Sequence, residues 1–193
     1  MNHGRMMGWA GGFYALLALA GAGWIALRDG AAALAPAGTA SVATGLAWGA
    51  GGGLAVVAGW HLLCSRSDRL QEFEVSLARF FRGLPLIGCA WLALTSSVGE
   101  ELLFRGGLQP SVGLWPASVI FGLVHGPPRK DLAPWPLFAA SVGLLLGWIY
   151  LRTGTLAAPI AGHFTINFVN LARMARAPKG EQPCRTAAEG EPD

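Results

Sequence analysis

Charge is scarce in this chain of 193 residues. Asp, Glu, Lys and Arg make up 13% of it, about half of the roughly 25% typical of a soluble domain. That shortage excludes an ordinary water-facing surface. Cysteine is scarce too: Cys64, Cys89 and Cys184 are odd in number and far apart. They offer neither a zinc spacing nor a disulfide framework, and Cys64 and Cys89 read as small apolar residues in or near helices. The basic residues do not cluster with aromatics as a nucleic-acid groove requires, and the formal net charge is only +3, so no nucleic-acid partner is expected. The period-2 alternation of a transmembrane β-barrel is missing. So are a Gly-x-Ser-x-Gly nucleophile elbow and a His-Glu-x-x-His zinc signature.

What remains is apolar. Hydrophobic residues make up 53% of the chain, and 28 residues are glycine, as is common in packed membrane helices. The apolar residues fall in blocks near the roughly 20 residues that cross a bilayer core as helix. The expected fold class is therefore all-α, a polytopic membrane helix bundle of about six transmembrane helices. The spans are placed at 9–27, 42–64, 84–108, 114–125, 136–151 and 156–172, the fourth being short and ended by Gly126, Pro127 and Pro128. The first does not read as a cleaved signal peptide, because no cleavage site is clear and further spans follow. In the second, Gly45, Gly49 and Gly53 recur at spacing four, which leaves one helix face bare for close packing.

Between the second and third spans lies an amphipathic connector, 65–83. It carries Arg66, Arg69, Arg79 and Arg82 opposite Leu70, Phe73, Leu77, Phe80 and Phe81, and is expected to lie on the membrane surface. Three parts follow: 1–83, two transmembrane helices plus connector; 84–172, a catalytic helix bundle; and 173–193, a polar tail expected to be disordered.

Chemistry enters at the third span, which contains Glu100, Glu101 and Arg105. An ionisable residue at a helix centre costs roughly 2.5–3.5 kcal/mol on insertion scales, so three in six positions require shelter inside the bundle. Glu101 and Arg105 are four apart with the acid first, the favourable order for a helical ion pair. Glu100 is turned about 100° away and is left free to exchange protons, as a general base must be. The fourth span places Phe121 and His125 on one face, and the sixth places His163 and Asn167 one turn apart. Two carboxylates, two imidazoles and an amide from three spans are an inventory for activating water and holding an oxyanion. Ser96 and Ser97, one turn before the glutamates, read as packing or supporting groups rather than nucleophiles.

In this order, Glu-Glu-x-x-x-Arg, Phe-x-x-x-His and His-x-x-x-Asn resemble the motifs of the CPBP family, the CAAX proteases and bacteriocin-processing enzymes. The run from Gly147 to Leu156, followed by Pro159, Ile160 and His163, is similar to the approach to that family's last motif. The resemblance extends from about 84 to 170. It implies a membrane-embedded helical endopeptidase, with Glu100 as the base and Glu101 as a supporting carboxylate. Its substrate would be a membrane protein or lipidated peptide among membrane lipids, cut in protein sorting or C-terminal processing.

On this reading Glu100, aided by His125, deprotonates a water. His163 and Asn167 hold the oxyanion or orient that water, and Arg105 fixes Glu101 and meets a substrate carboxylate. No cofactor is obligatory. The alternative is zinc on Glu100, His125 and His163, a known type of ligand set. A noncatalytic immunity or scaffold protein and a small proton-coupled transporter are the competing functions, the latter lacking an inverted repeat. Basic residues place both termini in the cytoplasm of a bacterial inner membrane. The oligomeric state is not legible.

Overall fold

The apolar blocks fold as helices, and no strand occurs among the residues that the computed structural model describes, 3–34, 39–126 and 134–178. Helix α1 spans His3–Asp29 and α2 spans Thr39–Cys64, with a short 3-10 turn at Ala31–Leu34 between them. The amphipathic α3 covers Asp68–Phe81. Helix α4, Leu86–Glu101, runs on as a π-helix over Leu102–Leu108 and ends in α5, Gln109–Val112. Then come α6, Leu114–Val124, α7, Pro134–Thr153, and α8, Ala157–Arg176.

All six expected spans are helical, but they are not equivalent. Four stretches are long and apolar enough to cross a membrane: α1, Val42–Cys64, Leu86–Val112 and α7. Helix α6 has 11 residues and rises only about 16 Å, roughly half a bilayer core. Helix α8 has 20 residues, but Arg173 and Arg176 in its last turn and its polar stripe keep it out of that set. It also continues past 172, where the polar tail was expected to begin; 179–193 lie outside the described residues, as do Pro127 and Pro128.

The glycine face of α2 meets α8 backbone to backbone. A Cβ at Gly53 would lie 2.7 Å from the Gly162 carbonyl oxygen, and one at Gly49 would overlap the Ala158 carbonyl. Close packing by small residues is therefore real here. Leu146, Ile149, Ala158 and Ile166 fill the core beside that contact.

The connector is an amphipathic helix, as expected, and it is fastened to protein on its buried face. Arg66, Arg69 and Arg79 are exposed, while Gln71, Phe73, Glu74 and Ala78 are buried. Trp60 Nε1 donates to Glu74 Oε1 at 2.8 Å, Gln71 Nε2 donates to the Cys64 carbonyl at 3.0 Å, and Arg173 pairs with Glu74 at 3.5 Å. Cys89 is a buried free thiol, in line with its apolar reading. Cys64 is buried but disulfide-bonded, which corrects the expectation that it acts only as a small apolar residue.

The π-helix was not foreseen. Its cause lies in three residues. Pro110 has no N–H to pair with the Gly106 carbonyl, and Gly106 and Gly107 have no side chains to hold α1 away. Ile25 and Trp24 of α1 sit directly on them. Arg28 then donates to the carbonyls of Gly106 and Gly107, at 2.9 and 2.8 Å, the latter also accepting from Ser111 Oγ at 3.0 Å. Widened helical turns of this kind are frequent at functional sites, and this one carries Arg105.

Candidate active site

Helix α4 delivers the two carboxylates at its last two positions, where both are buried. Their fates differ as their rotation about the helix demands. Glu101 is fully enclosed and takes two cationic or donor partners. Arg105 Nε lies 3.1 Å from its Oε2, and His163 Nδ1 lies 2.7 Å from its Oε1. The expected Glu101–Arg105 pair is thus formed, across the start of the π-helix. Its second partner, His163, was expected elsewhere.

Arg105 is turned into the bundle. It is 2% exposed, donates from its second terminal nitrogen to the Gly143 carbonyl at 3.0 Å, and lies over the Phe121 ring with 4.7 Å to the centroid. The guanidinium is thus enclosed among protein groups, as burial of a charge demands, although its Nε, 3.1 Å from Glu101 Oε2, makes no hydrogen bond of good geometry among the described residues.

Glu100 faces the other way. Its Oε2 lies 3.6 Å from His125 Nε2 and 3.9 Å from His163 Nε2, beyond direct hydrogen bonding. That oxygen has no hydrogen-bond partner among the described residues. Both imidazoles are oriented from behind. His125 Nδ1 lies 2.7 Å from the Phe121 carbonyl, an acceptor, so Nδ1 carries the proton. His163 Nδ1 faces the Glu101 carboxylate and is likewise the donor. Each ring therefore turns its Nε2 towards Glu100.

Helix α6 makes this possible by being short. Gly113, at φ +91°, turns the chain sharply after α5, and after the 11 residues of α6 His125 caps that helix beside Glu100. Phe121, one turn earlier, is the common platform. It packs edge-on to Phe104, 4.9 Å between centroids, lies 4.5 Å from the His125 ring and carries the Arg105 guanidinium.

Asn167 stands one step back. Its Nδ2 donates to Ser96 Oγ at 3.0 Å, tying α8 to α4 one turn below the glutamates. Ser96 and Ser97 are buried, and their hydroxyls donate to carbonyls of their own helix, as expected of supporting groups. Five of the six residues singled out from the sequence, Glu100, Glu101, Arg105, His125 and His163, form one connected cluster, and Asn167 stands behind it on Ser96. Two neighbours lie in no motif: Tyr14 of α1, whose backbone packs on Gly99 beside Glu100, and Trp135 of α7, 6.1 Å from the His125 ring.

Comparison with known proteins agrees with the resemblance seen in the motifs. Residues 82–169 match the family model described as type II CAAX prenyl endopeptidase, Rce1-like. YpbD, an uncharacterized protein of Bacillus subtilis (strain 168), is 41% identical over 90 residues, which make up 46% of this chain and 45% of that protein. The chain thus spans less than half the length of that curated relative. No solved structure matches.

Proposed function

We propose that the protein, whose residues 82–169 match the family model described as type II CAAX prenyl endopeptidase, Rce1-like, is an intramembrane endopeptidase in which Glu100 activates water. The observation that carries this reading is the Glu100 carboxylate, buried in an apolar bundle, with one oxygen turned to two histidines from two other helices at 3.6 and 3.9 Å. Glu100 takes a proton from a water whose oxygen attacks the peptide carbonyl. The resulting oxyanion is held by His163 in its doubly protonated form, with Glu101 as counter-charge on Nδ1. As the C–N bond breaks, Glu100 returns the proton to the leaving amine. His125 orients the water through Nε2. Asn167 acts through Ser96 and the seating of α8, and Arg105 through Glu101.

Zinc on Glu100, His125 and His163 is the second reading, favoured by the donor types, one carboxylate and two Nε2. The spacing fits less well. Ligand atoms about 2.0–2.1 Å from a tetrahedral zinc lie about 3.3 Å apart, closer than the 3.6 and 3.9 Å found. Among the described residues no group of three or more His, Cys, Asp or Glu is gathered as a metal site. The metal-free reading is therefore preferred.

The substrate class we propose is an exported or lipid-anchored membrane peptide. With both termini cytoplasmic in a bacterial inner membrane, 11 of the 14 Lys and Arg fall on the cytoplasmic side, as the positive-inside rule demands. The site then lies within the membrane, somewhat nearer the outer face. Proteoliposomes test this against the transporter and scaffold alternatives. Purified protein is reconstituted with a labelled apolar membrane peptide or a prenylated CAAX peptide. New peptide termini by mass spectrometry support the enzyme; proton flux without cleavage, or neither, overturns it.

A further inference from the structure

Helix α7 supplies no residue to the three motifs, yet both halves of the candidate site are seated on it. From one side comes α6, which ends at His125. A Cβ at Gly122 would lie 2.6 Å from the Pro136 carbonyl oxygen and 2.7 Å from the Ala140 Cβ, so α6 rests directly on the α7 backbone. From the other side come the π-helix and its continuation. Arg105 donates to the Gly143 carbonyl at 3.0 Å, and Gln109 Nε2 donates to the Gly147 carbonyl at 3.0 Å. Two side chains four residues apart thus hook two glycine carbonyls four residues apart. The glycines make the room: a Cβ at Gly147 would overlap Gln109 Oε1 and lie 2.5 Å from Leu114 Cδ1.

Gln109 belongs to none of the motifs. It is 3% exposed, in a bundle where an amide is costly unless it is hydrogen-bonded. It fixes the chain at two levels. Its main-chain N–H closes the last π turn on the Phe104 carbonyl, and its side chain fastens that turn to α7. Phe104 in turn packs edge-on against Phe121, one turn before His125. Neither contact touches Glu100. What they fix is the register of the π-helix on α7, and with it the place of the preceding residue pair, where Glu100 stands 3.6 Å from His125.

We propose that Gln109 is a positioning residue of the active centre: by pinning the π-helix to α7 at Gly147, it sets the spacing of Glu100 and His125 around the water. This deepens the endopeptidase reading and rests on Glu100 being the base. Arg105 by itself is a single hook, shared with Glu101, about which the segment could pivot. A second hook in line with the first stops both pivoting and sliding along α7. Helix α7 thereby becomes the common rail that holds the carboxylate and the imidazole at a fixed separation.

The test uses the whole chain in proteoliposomes, with the labelled membrane peptide as probe. Gln109→Met keeps the length of the side chain and removes its donor. The expected result is a fall in kcat of about three- to tenfold, the scale of one neutral hydrogen bond. KM should stay within twofold and the thermal midpoint unchanged, while the acid limb of the pH–kcat profile is displaced. Gly147→Ala attacks the same contact from α7 and should cause the same loss, which keeps the test decisive if Gln109→Met fails to accumulate. The double variant should lose no more than either single one, because both remove one interaction. Val112→Ala, exposed on α5, should behave as wild type. An unchanged kcat in either single variant, additive losses in the double one, or a lower kcat with an unmoved pH profile and a lower thermal midpoint overturns the proposal and leaves Gln109 a packing residue. Activity in Glu100→Gln would instead overturn the endopeptidase mechanism on which it rests.

Discussion

His163 stands between the two adjacent glutamates, its Nδ1 2.7 Å from Glu101 Oε1. One carboxylate therefore orients the imidazole and the other receives its free edge. Consecutive residues on a helix point about 100° apart, so Glu100 and Glu101 can serve different partners without competing. In the proposed mechanism Glu101 belongs to the scaffold of the site, and Glu100 to its chemistry.

Loss of the Glu101 charge should for that reason be felt as instability. Glu101→Gln leaves Arg105, 2% exposed, without its counter-ion. Breaking a buried pair from one side costs about 3–5 kcal/mol. We expect reduced accumulation in membranes and a clearly lower thermal midpoint in detergent, together with loss of cleavage. A wild-type midpoint would show that the carbonyl of Gly143 and the Phe121 ring suffice to hold the guanidinium.

Asn167 should act through Ser96. Ser96→Ala strands the Asn167 amide in a partly buried position, at a cost of about 1–3 kcal/mol, and loosens the tie between α8 and α4. The expected outcome is a fall in kcat/KM of about tenfold, largely restored by Ser96→Thr, which retains the hydroxyl. Full activity in Ser96→Ala would mean that Asn167 works directly on substrate.

Chelation separates the two readings of the Glu100 cluster. If Glu100 alone activates water, activity persists through prolonged chelator treatment and elemental analysis finds no stoichiometric zinc. One zinc per chain, with activity lost on removal and restored on return, would establish the metalloenzyme.

Orientation is open to cysteine labelling. In a background without the native cysteines, Ala32→Cys, in the turn after α1, should react with an impermeant maleimide in intact cells. Glu72→Cys, exposed on α3, should react only once the inner face is opened. The reverse pattern would invert the topology and move the proposed substrate to the cytoplasmic side.

Much of the candidate site was legible in the sequence because membrane insertion makes polar residues conspicuous. Glu100, Glu101, Arg105, His125, His163 and Asn167 each interrupt an apolar stretch, and the structure gathers the first five into one cluster with Asn167 behind it on Ser96. The helices themselves were legible from run length, down to the glycine face of α2. What escaped was set by tertiary contact. The π-helix depends on α1 pressing on Gly106 and Gly107 and on Arg28 reaching across, neither of which leaves a local pattern. The depth of His125 follows from α6 being a half-span after the Gly113 turn, and a hydropathy block cannot show where a short helix starts.

The central claim, that Glu100 is the group that activates water, is tested most directly by single-turnover cleavage of a labelled membrane peptide by Glu100→Gln in proteoliposomes. The amide keeps the shape and most of the packing and cannot accept the proton. The account predicts wild-type abundance and thermal midpoint with no detectable cleavage. Cleavage at the wild-type rate by this variant would contradict it.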